Sequence, residues 1–266
     1  MGNKSNISLL KYVSSNYDSY ILFIQEFLLN KKDLKILDFG CGIGTLLNVL
    51  NESDINCELY GVDIFENQSL FETAKENASF AKIERIKPYE KFDFGEKFDI
   101  ILSNQVFEHI ENLNHVYQHL SKILKPNGII FCGFPTKEII IEPHLKIPFI
   151  HRFDKESKAL HCYLKICLFL RLGQFSRRGF NNKKYLENRK NFCKNQIFYH
   201  SLHDHMELLN RNFSKVFTIN DLWLKHIRNY KTYSNNIKFL IRLMPFKGLR
   251  LFLMTRIFGV YLMLTK

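Results

Sequence analysis

The chain has 266 residues, of which 46% are hydrophobic, a proportion that supports a substantial core and excludes an intrinsically disordered protein. Its net charge of +12 is unevenly distributed: residues 1–145 hold 14 Lys and Arg against 20 Asp and Glu, whereas residues 146–266 hold 24 against 6. The six cysteines show neither a Cys-x-x-Cys pair nor a zinc-binding spacing, which excludes a disulfide or zinc scaffold and predicts buried thiols in a reducing compartment.

The N-terminal segment has the pattern of a helix and not of a targeting signal. It begins Met-Gly-Asn-Lys-Ser-Asn, with no apolar run of the kind that directs secretion. Residues 7–30 then space their apolar side chains for one helical face. We therefore expect a leading helix and a cytoplasmic protein, with peripheral attachment at the inner membrane face as the alternative.

The most informative stretch is Ile-Leu-Asp-Phe-Gly-Cys-Gly-Ile-Gly-Thr-Leu-Leu, residues 36–47. Its apolar start predicts a buried strand, and the three alternate glycines predict a tight turn onto a helix that ends near residue 50. Thr45 stands where a dinucleotide fingerprint has its last glycine, which weighs against a nicotinamide dehydrogenase. Asp38, at the end of the strand, would favour a cationic ligand group over a phosphate.

The next strand, predicted over residues 58–65, ends in a second acid. Asp63 follows the glycine loop by about 20 residues, the separation at which a carboxylate reaches a ribose held over such a loop. Together the two motifs resemble class I S-adenosylmethionine-dependent methyltransferases. In that family the first acid and the glycines hold the methionine end of S-adenosyl-L-methionine, and the second acid binds the ribose hydroxyls. The resemblance assigns cofactor binding to Asp38, Gly40, Cys41, Gly42, Gly44, Asp63, Ile64, Ser103 and Asn104.

Three further strands complete the predicted cofactor-binding core. A helix over residues 67–79 precedes a weak strand over 80–86, and residues 98–102 form a buried strand followed by Ser103, Asn104 and Gln105. A helix over 112–124 and a stop at Lys-Pro-Asn-Gly lead into a fifth strand over 129–134. This alternation predicts an α/β fold with a doubly wound, mostly parallel sheet, which the family resemblance extends to seven strands.

The segment Val-Phe-Glu-His-Ile, residues 106–110, resembles the region after strand four in methyltransferases that act on quinone precursors. Glu108 and His109 are therefore candidates for acid–base chemistry. The alternative, which we favour, is that they begin the next helix and hold a loop in place.

Residues 136–200 are too long for a simple connection and predict a helical insertion that covers the acceptor. Its Pro-rich start contains His144 and His151, either of which is a candidate general base for a hydroxyl group. The alternative is that both histidines are hydrogen-bonded in a loop. His200, His203 and His205 suggest a metal only by their number, and we expect a helix start there, with Ser201 or Asp204 at the cap, and no metal.

The C-terminal part is predicted to contain a helix over residues 205–212 and two closing strands between 213 and 224. Residues 237–266 are rich in apolar side chains interrupted by arginines and lysine, and their longest uncharged run is too short to span a bilayer. They are expected either to pack on the domain or to lie in the interface of an anionic membrane.

The sequence therefore predicts four regions. They are a cofactor-binding core with its leading helix (1–135), a substrate-covering helical insertion (136–200), a closing helix with the last strands (201–236) and a basic apolar tail (237–266). The predicted activity is methyl transfer from S-adenosylmethionine to a small molecule, as O-methylation of a sugar in a surface glycan or lipid-linked precursor, or of an aromatic compound. An RNA methyltransferase that uses the basic half and a non-catalytic cofactor-binding protein remain alternatives. The absence of a recognisable RNA-binding module disfavours nucleic acid, and no obligate protein partner is inferred.

Overall fold

The structure, a computed structural model, describes residues 15–28, 33–53, 55–87, 92–173, 182–222 and 246–266. A seven-stranded sheet forms its centre. Its strands are β1 (Leu34–Phe39), β2 (Cys57–Asp63), β3 (Lys82–Arg85), β4 (Phe98–Asn104), β5 (Leu124–Phe134), β8 (Lys215–Thr218) and β9 (Val260–Thr265). Two short strands, β6 (Ile141–Glu142) and β7 (Ile147–Pro148), form a separate hairpin.

The strand order is β3-β2-β1-β4-β5-β9-β8, and β9 runs antiparallel to both of its neighbours while the first five strands are parallel. The predicted doubly wound, mostly parallel seven-stranded sheet is therefore confirmed. Because β1 lies between β2 and β4, the chain leaves β1 at the point where the strand order reverses. In open α/β sheets ligands bind at this point, outside the carboxyl ends of the strands.

Helices cover both faces of the sheet. They are α1 (Ser15–Leu28), α2 (Thr45–Asn51), α3 (Gln68–Asn77), α4 (Leu113–Ile123), α5 (Lys158–Phe169), α6 (Asn182–Asn195), α7 (Leu202–Asn212) and α8 (Lys247–Ile257). The buried side chains of α1, α2, α3 and α8 join one apolar cluster, and those of α4 and α7 join a second cluster on the opposite face. Residues 7–14 of the predicted leading helix lie outside the described residues.

The expectation that residues 213–224 supply both closing strands is wrong. Within the described part of that range, up to residue 222, β8 is the only strand, and its partner β9 comes from residues 260–265, inside the predicted tail. Val260, Leu262 and Leu264 are fully buried on one face of β9, and Tyr261 on its other face is 2% exposed, as expected for an interior strand. The predicted boundary between regions 201–236 and 237–266 therefore falls between β8 and β9, which are neighbours in the sheet. In the described part of the chain, no helix combines the length and apolar character needed to cross a membrane.

Residues 136–200 contain the β6–β7 hairpin, α5 and α6, which share a third apolar cluster that includes Leu160, Leu164 and Cys193. One boundary differs from prediction. Strand β5 begins at residue 124 and not at 129, because the turn at Asn127 (φ 61°) interrupts its pairing with β4 without ending the strand.

Candidate active site

A cavity of about 510 Å³ opens where the carboxyl ends of β1 and β2 meet the segment that follows β4. Its floor consists of the glycine loop and the end of β2. The residues on this side are Gly40, Gly42, Asp63 and Ile64. Apolar side chains line much of the remaining wall, and they include Phe39, Val62, Ile86, Phe92, Val116 and Phe198. Polar side chains complete it, namely Lys87, Gln105, His109, His115, His119 and Asn195.

The glycine loop needs residues without a Cβ for two physical reasons. Gly40 has a φ of 83°, and a Cβ built there would lie 2.2 Å from Cγ2 of Val106. Gly44 has a φ of 81° and is the N-cap of α2, so the loop turns directly into a helix N-terminus. The backbone therefore passes close to Val106 and leaves the mouth of the loop open to a ligand.

Asp63 connects the glycine loop to the end of β2. The backbone N–H of Gly42 donates to its Oδ2 (2.8 Å), and the N–H of Phe65 donates to its Oδ1 (3.3 Å). Each carboxylate oxygen has two lone pairs, so both can also accept a hydrogen bond from a ligand hydroxyl. The carboxylate is thus held in place by the backbone and presented at the cavity wall.

Asp38 lies beneath the loop and is only 3% exposed. Burial, and secondarily the negative charge of Asp63, raises the pKa of its carboxyl group to about 8. Tyr17 is close enough that the charge of Asp38 adds to burial in raising the pKa of its phenol. A buried acid of this kind is ionised most readily when a positive group is placed beside it.

Helix α1 also covers the end of β4. The hydroxyl of Tyr20 donates to the backbone oxygen of Ser103 (2.8 Å) and approaches Oδ1 of Asn104 at 3.2 Å. Ser103 is buried and Asn104 half-buried, and neither is among the described residues that line the cavity. Cys41 is buried behind the loop, where desolvation raises the pKa of its thiol. Of the nine predicted cofactor residues, four therefore line the cavity and the other five do not.

A second group of polar side chains adjoins the cavity at His109. The Nδ1 atom of His144 lies 2.7 Å from Oε1 of Glu142, which also accepts a hydrogen bond from the Tyr199 hydroxyl (2.9 Å). The rings of His109 and His144 are 4.9 Å apart. The structure thus places His144 next to the cavity wall, one side chain behind His109.

His151, the other predicted base, has different surroundings. Its Nε2 atom lies 3.2 Å from the backbone oxygen of Lys137, and its ring packs 4.8 Å from that of Tyr199. It does not line the cavity. Helix α7 begins beside the predicted His200, His203 and His205. Its first turn is closed by a reciprocal capping box between Ser201 and Asp204, as expected for a helix start.

Several cavity residues were not predicted. His115 and His119 are one helical turn apart on α4, so the period of the helix alone could have placed them on one face. Asn195 and Phe198 come from the end of α6 and the segment after it. No local signal marks those two, because only the packing of residues 136–200 brings them to the cavity.

Comparison with known proteins identifies related sequences and folds. Residues 11–208 match the family model described as "Methyltransferase domain". A malonyl-[acyl-carrier protein] O-methyltransferase of Ilyobacter polytropus is 31% identical over 142 residues, 48% of this chain and 53% of that protein. A ubiquinone biosynthesis O-methyltransferase of Bartonella bacilliformis is 36% identical over 104 residues, 38% of this chain and 40% of that protein. The matches thus span about half or less of these curated relatives.

Solved structures share the fold at low sequence identity. The plantazolicin methyltransferase BamL, in complex with a triazolic desmethylPZN analog and SAH, has a TM-score of 0.54 and 17% identity, covering 95% of this chain and 85% of that one. PKMT2 from Rickettsia typhi, in complex with AdoHcy, has a TM-score of 0.53 and 17% identity, covering 95% of this chain and 54% of that one.

Proposed function

The chain belongs to the methyltransferase domain family, and we propose that it transfers a methyl group from S-adenosylmethionine to an oxygen atom of a small molecule. The observation that carries this proposal is the pairing of two carboxylates at the glycine loop. Asp63 faces the cavity, held by the N–H of Gly42, and Asp38 lies buried beneath it.

Each part of the loop has a distinct task in cofactor binding. Asp63 accepts hydrogen bonds from the two ribose hydroxyls, and Ile64 lies beside the adenine. The positive φ of Gly40 and Gly44 lets the backbone approach the nucleoside closely. Asp38 interacts with the ammonium group of the methionine part, which favours ionisation of a carboxyl group that burial otherwise disfavours.

The chemistry needs little from the protein beyond position and shielding. Bound S-adenosylmethionine would supply the methyl group. The bond from the acceptor oxygen to the methyl carbon would form as the bond from that carbon to sulfur breaks, and the hydroxyl proton would pass to a base or to water. The residues around the cavity would hold the two reacting atoms in contact and in line. A general base at His144 or His151 stays a prediction. His144 is the better placed of the two, because its ring adjoins that of the cavity residue His109.

Beyond the glycine loop, the wall of the cavity favours an aromatic hydroxyl compound over a sugar as the methyl acceptor. Phe92, Val116 and Phe198 present apolar surface there, whereas a sugar needs a polar partner for most of its hydroxyl groups. His115 and Asn195 supply the few polar groups needed to orient one or two oxygens. Two of the curated relatives are named O-methyltransferases, which supports oxygen as the acceptor atom. A glycan or lipid-linked acceptor and membrane contact through residues 237–266 stay predictions.

Calorimetric titration with S-adenosylhomocysteine, S-adenosylmethionine and NAD tests the cofactor. We expect the first two to bind and NAD not to bind. Asp63→Asn keeps the shape of the side chain and removes its charge, and should weaken S-adenosylhomocysteine binding by about 10- to 100-fold. Asp154→Asn, an exposed acid of the insertion, is the matched control and should bind normally. Unchanged affinity in Asp63→Asn would refute the cofactor placement.

Turnover then separates the candidate functions. We expect transfer of labelled methyl from S-adenosylmethionine to members of a panel of phenolic and quinol compounds. Cofactor binding without turnover on phenols, sugars or RNA would indicate a non-catalytic protein of this fold. An RNA methyltransferase would instead bind RNA with an affinity that falls steeply as salt is raised.

A further inference from the structure

Three potential metal ligands meet beside the cavity from two separate parts of the chain. Glu108 and His109 belong to the single 3-10 turn that follows β4, Phe107–His109. His144 comes from the tight turn between β6 and β7. One ligand atom from each of the three side chains lies within 4.8 Å of the other two. One cation can therefore be approached by all three.

Glu108 is the least usual member of this group. It is 1% exposed, and neither of its carboxylate oxygens has a hydrogen-bond partner among the residues that the structure describes. A buried polar group without a partner costs free energy, and a buried carboxylate costs more. A bound cation would supply the missing partner for both oxygens.

The two histidines are oriented so that each keeps one nitrogen for a ligand. Nδ1 of His109 contacts the backbone oxygen of Gln196, which can only accept, so this nitrogen carries the proton. Nδ1 of His144 likewise faces the Glu142 carboxylate at 2.7 Å. In the neutral form of either ring, Nε2 then has the lone pair. Hydrogen bonds of this kind commonly orient histidines that bind metals.

Glu142 is itself fixed on two sides. Its Oε1 accepts from the Tyr199 hydroxyl at 2.9 Å, and its Oε2 accepts from the backbone N–H of Leu145 at 2.5 Å. The carboxylate is fully buried, so it has no alternative contact with water. The ring of His144 therefore has a fixed orientation towards Glu108 and His109.

We propose that Glu108, His109 and His144 bind a zinc ion at the wall of the cavity. Two imidazole nitrogens and one carboxylate suit zinc or a similar first-row ion, whereas magnesium and calcium prefer oxygen ligands alone. Three protein ligands leave one tetrahedral position open. Because His109 lines the cavity, the ion would lie at the cavity wall. Metal binding itself does not depend on methyl transfer, and it would exclude His144 as the general base because both ring nitrogens would then be engaged.

The test uses the full chain after treatment with a chelator, titrated with Zn²⁺ by calorimetry and with Co²⁺ by visible absorption. We expect one high-affinity equivalent of Zn²⁺ and a tetrahedral Co²⁺ spectrum. His144→Gln and Glu108→Gln should each weaken Zn²⁺ binding by more than the 10- to 100-fold loss that is typical when only an outer partner is removed. Glu142→Gln, which removes such a partner, should fall within that range. His203→Gln, at an exposed position of α7, is the matched control and should bind like the wild type.

Two results would overturn the proposal. One is the absence of stoichiometric Zn²⁺ binding by the wild-type chain. The other is retention of that binding by both His144→Gln and Glu108→Gln, which would place the ion elsewhere. His144 is partly exposed, so His144→Gln decides the question even if loss of the buried acid prevents folding. S-adenosylhomocysteine binding by the chelated chain is measured separately, so failure of the proposed function and failure of the metal site are distinguishable.

Discussion

Replacement of Asp38 by Asn separates the effect of the buried acid on stability from its proposed effect on cofactor binding. The pKa of the folded carboxyl is raised from 3.8 to about 8, mainly because the side chain is buried and secondarily by the charge of Asp63. Between these two values the folded chain keeps a proton that the unfolded chain has released. The free energy of unfolding therefore falls as pH rises from 3.8 towards 8. Below pH 3.8 the carboxyl group is protonated in both states, so the protein has the full stability that this group allows.

The size of the effect follows from the two pKa values. Each pH unit inside the window is worth about 1.4 kcal/mol, so the rise from pH 5 to pH 8 costs the wild type up to about 4 kcal/mol through Asp38. Asn at this position does not titrate and avoids that cost. We expect the free energy of unfolding of Asp38→Asn, relative to wild type, to increase by an amount approaching this limit between the two pH values.

Urea denaturation of both proteins at pH 5 and pH 8, followed by circular dichroism, measures this difference. Other buried groups such as Glu108 titrate in both proteins, so their contributions cancel in the comparison. The same variant should bind S-adenosylhomocysteine about 10- to 100-fold more weakly at pH 8, because the ammonium group loses a charged partner. A pH-independent difference in stability would refute the burial argument, and unchanged affinity would refute the ammonium contact.

Three further substitutions test the fold around the site, each by urea denaturation. Gly40→Ala should destabilise the protein by about 1–3 kcal/mol, because the φ of Gly40 is 83° and an added Cβ would overlap Val106. The control, Gly248→Ala in α8, has open space for a Cβ and should be neutral or slightly stabilising. Equal effects of the two substitutions would contradict the steric argument. Leu262→Ala should lower the free energy of unfolding by about 2–5 kcal/mol if β9 is an interior strand. The control, Leu249→Ala, changes a side chain that is 41% exposed and should cost less than about 0.5 kcal/mol. No loss of stability in Leu262→Ala would place the last strand outside the core. Ser201→Ala removes the capping box of α7 and should cost about 1 kcal/mol, and a loss close to zero would mean that the cap contributes nothing to stability.

Local patterns were sufficient for the cofactor half of the molecule. The alternation of strand and helix from residue 34 to 134, the glycine loop and the acid at the end of β2 were all predicted, and the observed sheet agrees with them. These features depend on the period of apolar residues and on short spacings. Such signals act within about 20 residues, so the sequence carries them without knowledge of the fold.

The same reasoning failed for the last strand. Val260–Thr265 is apolar on both faces. A short apolar run at the end of a basic segment is as typical of a helix as of a strand, so the pattern does not distinguish them. Its place between β5 and β8 is fixed by backbone pairing, for example of Leu262 with Cys132. That pairing joins residues 130 positions apart, and no local pattern encodes it.

The sequence by itself determined the fold class, the family and the two acids beside the glycine loop, because each of these depends on residues close together along the chain. Only the tertiary structure decided that His144 lies beside His109, that the Glu108 carboxylate is buried with no hydrogen-bond partner among the described residues, and that α6 contributes to the cavity wall. These relationships depend on how residues 136–200 pack against the segment after β4. Packing is a property of complementary surfaces in three dimensions, and those surfaces exist only once the chain has folded.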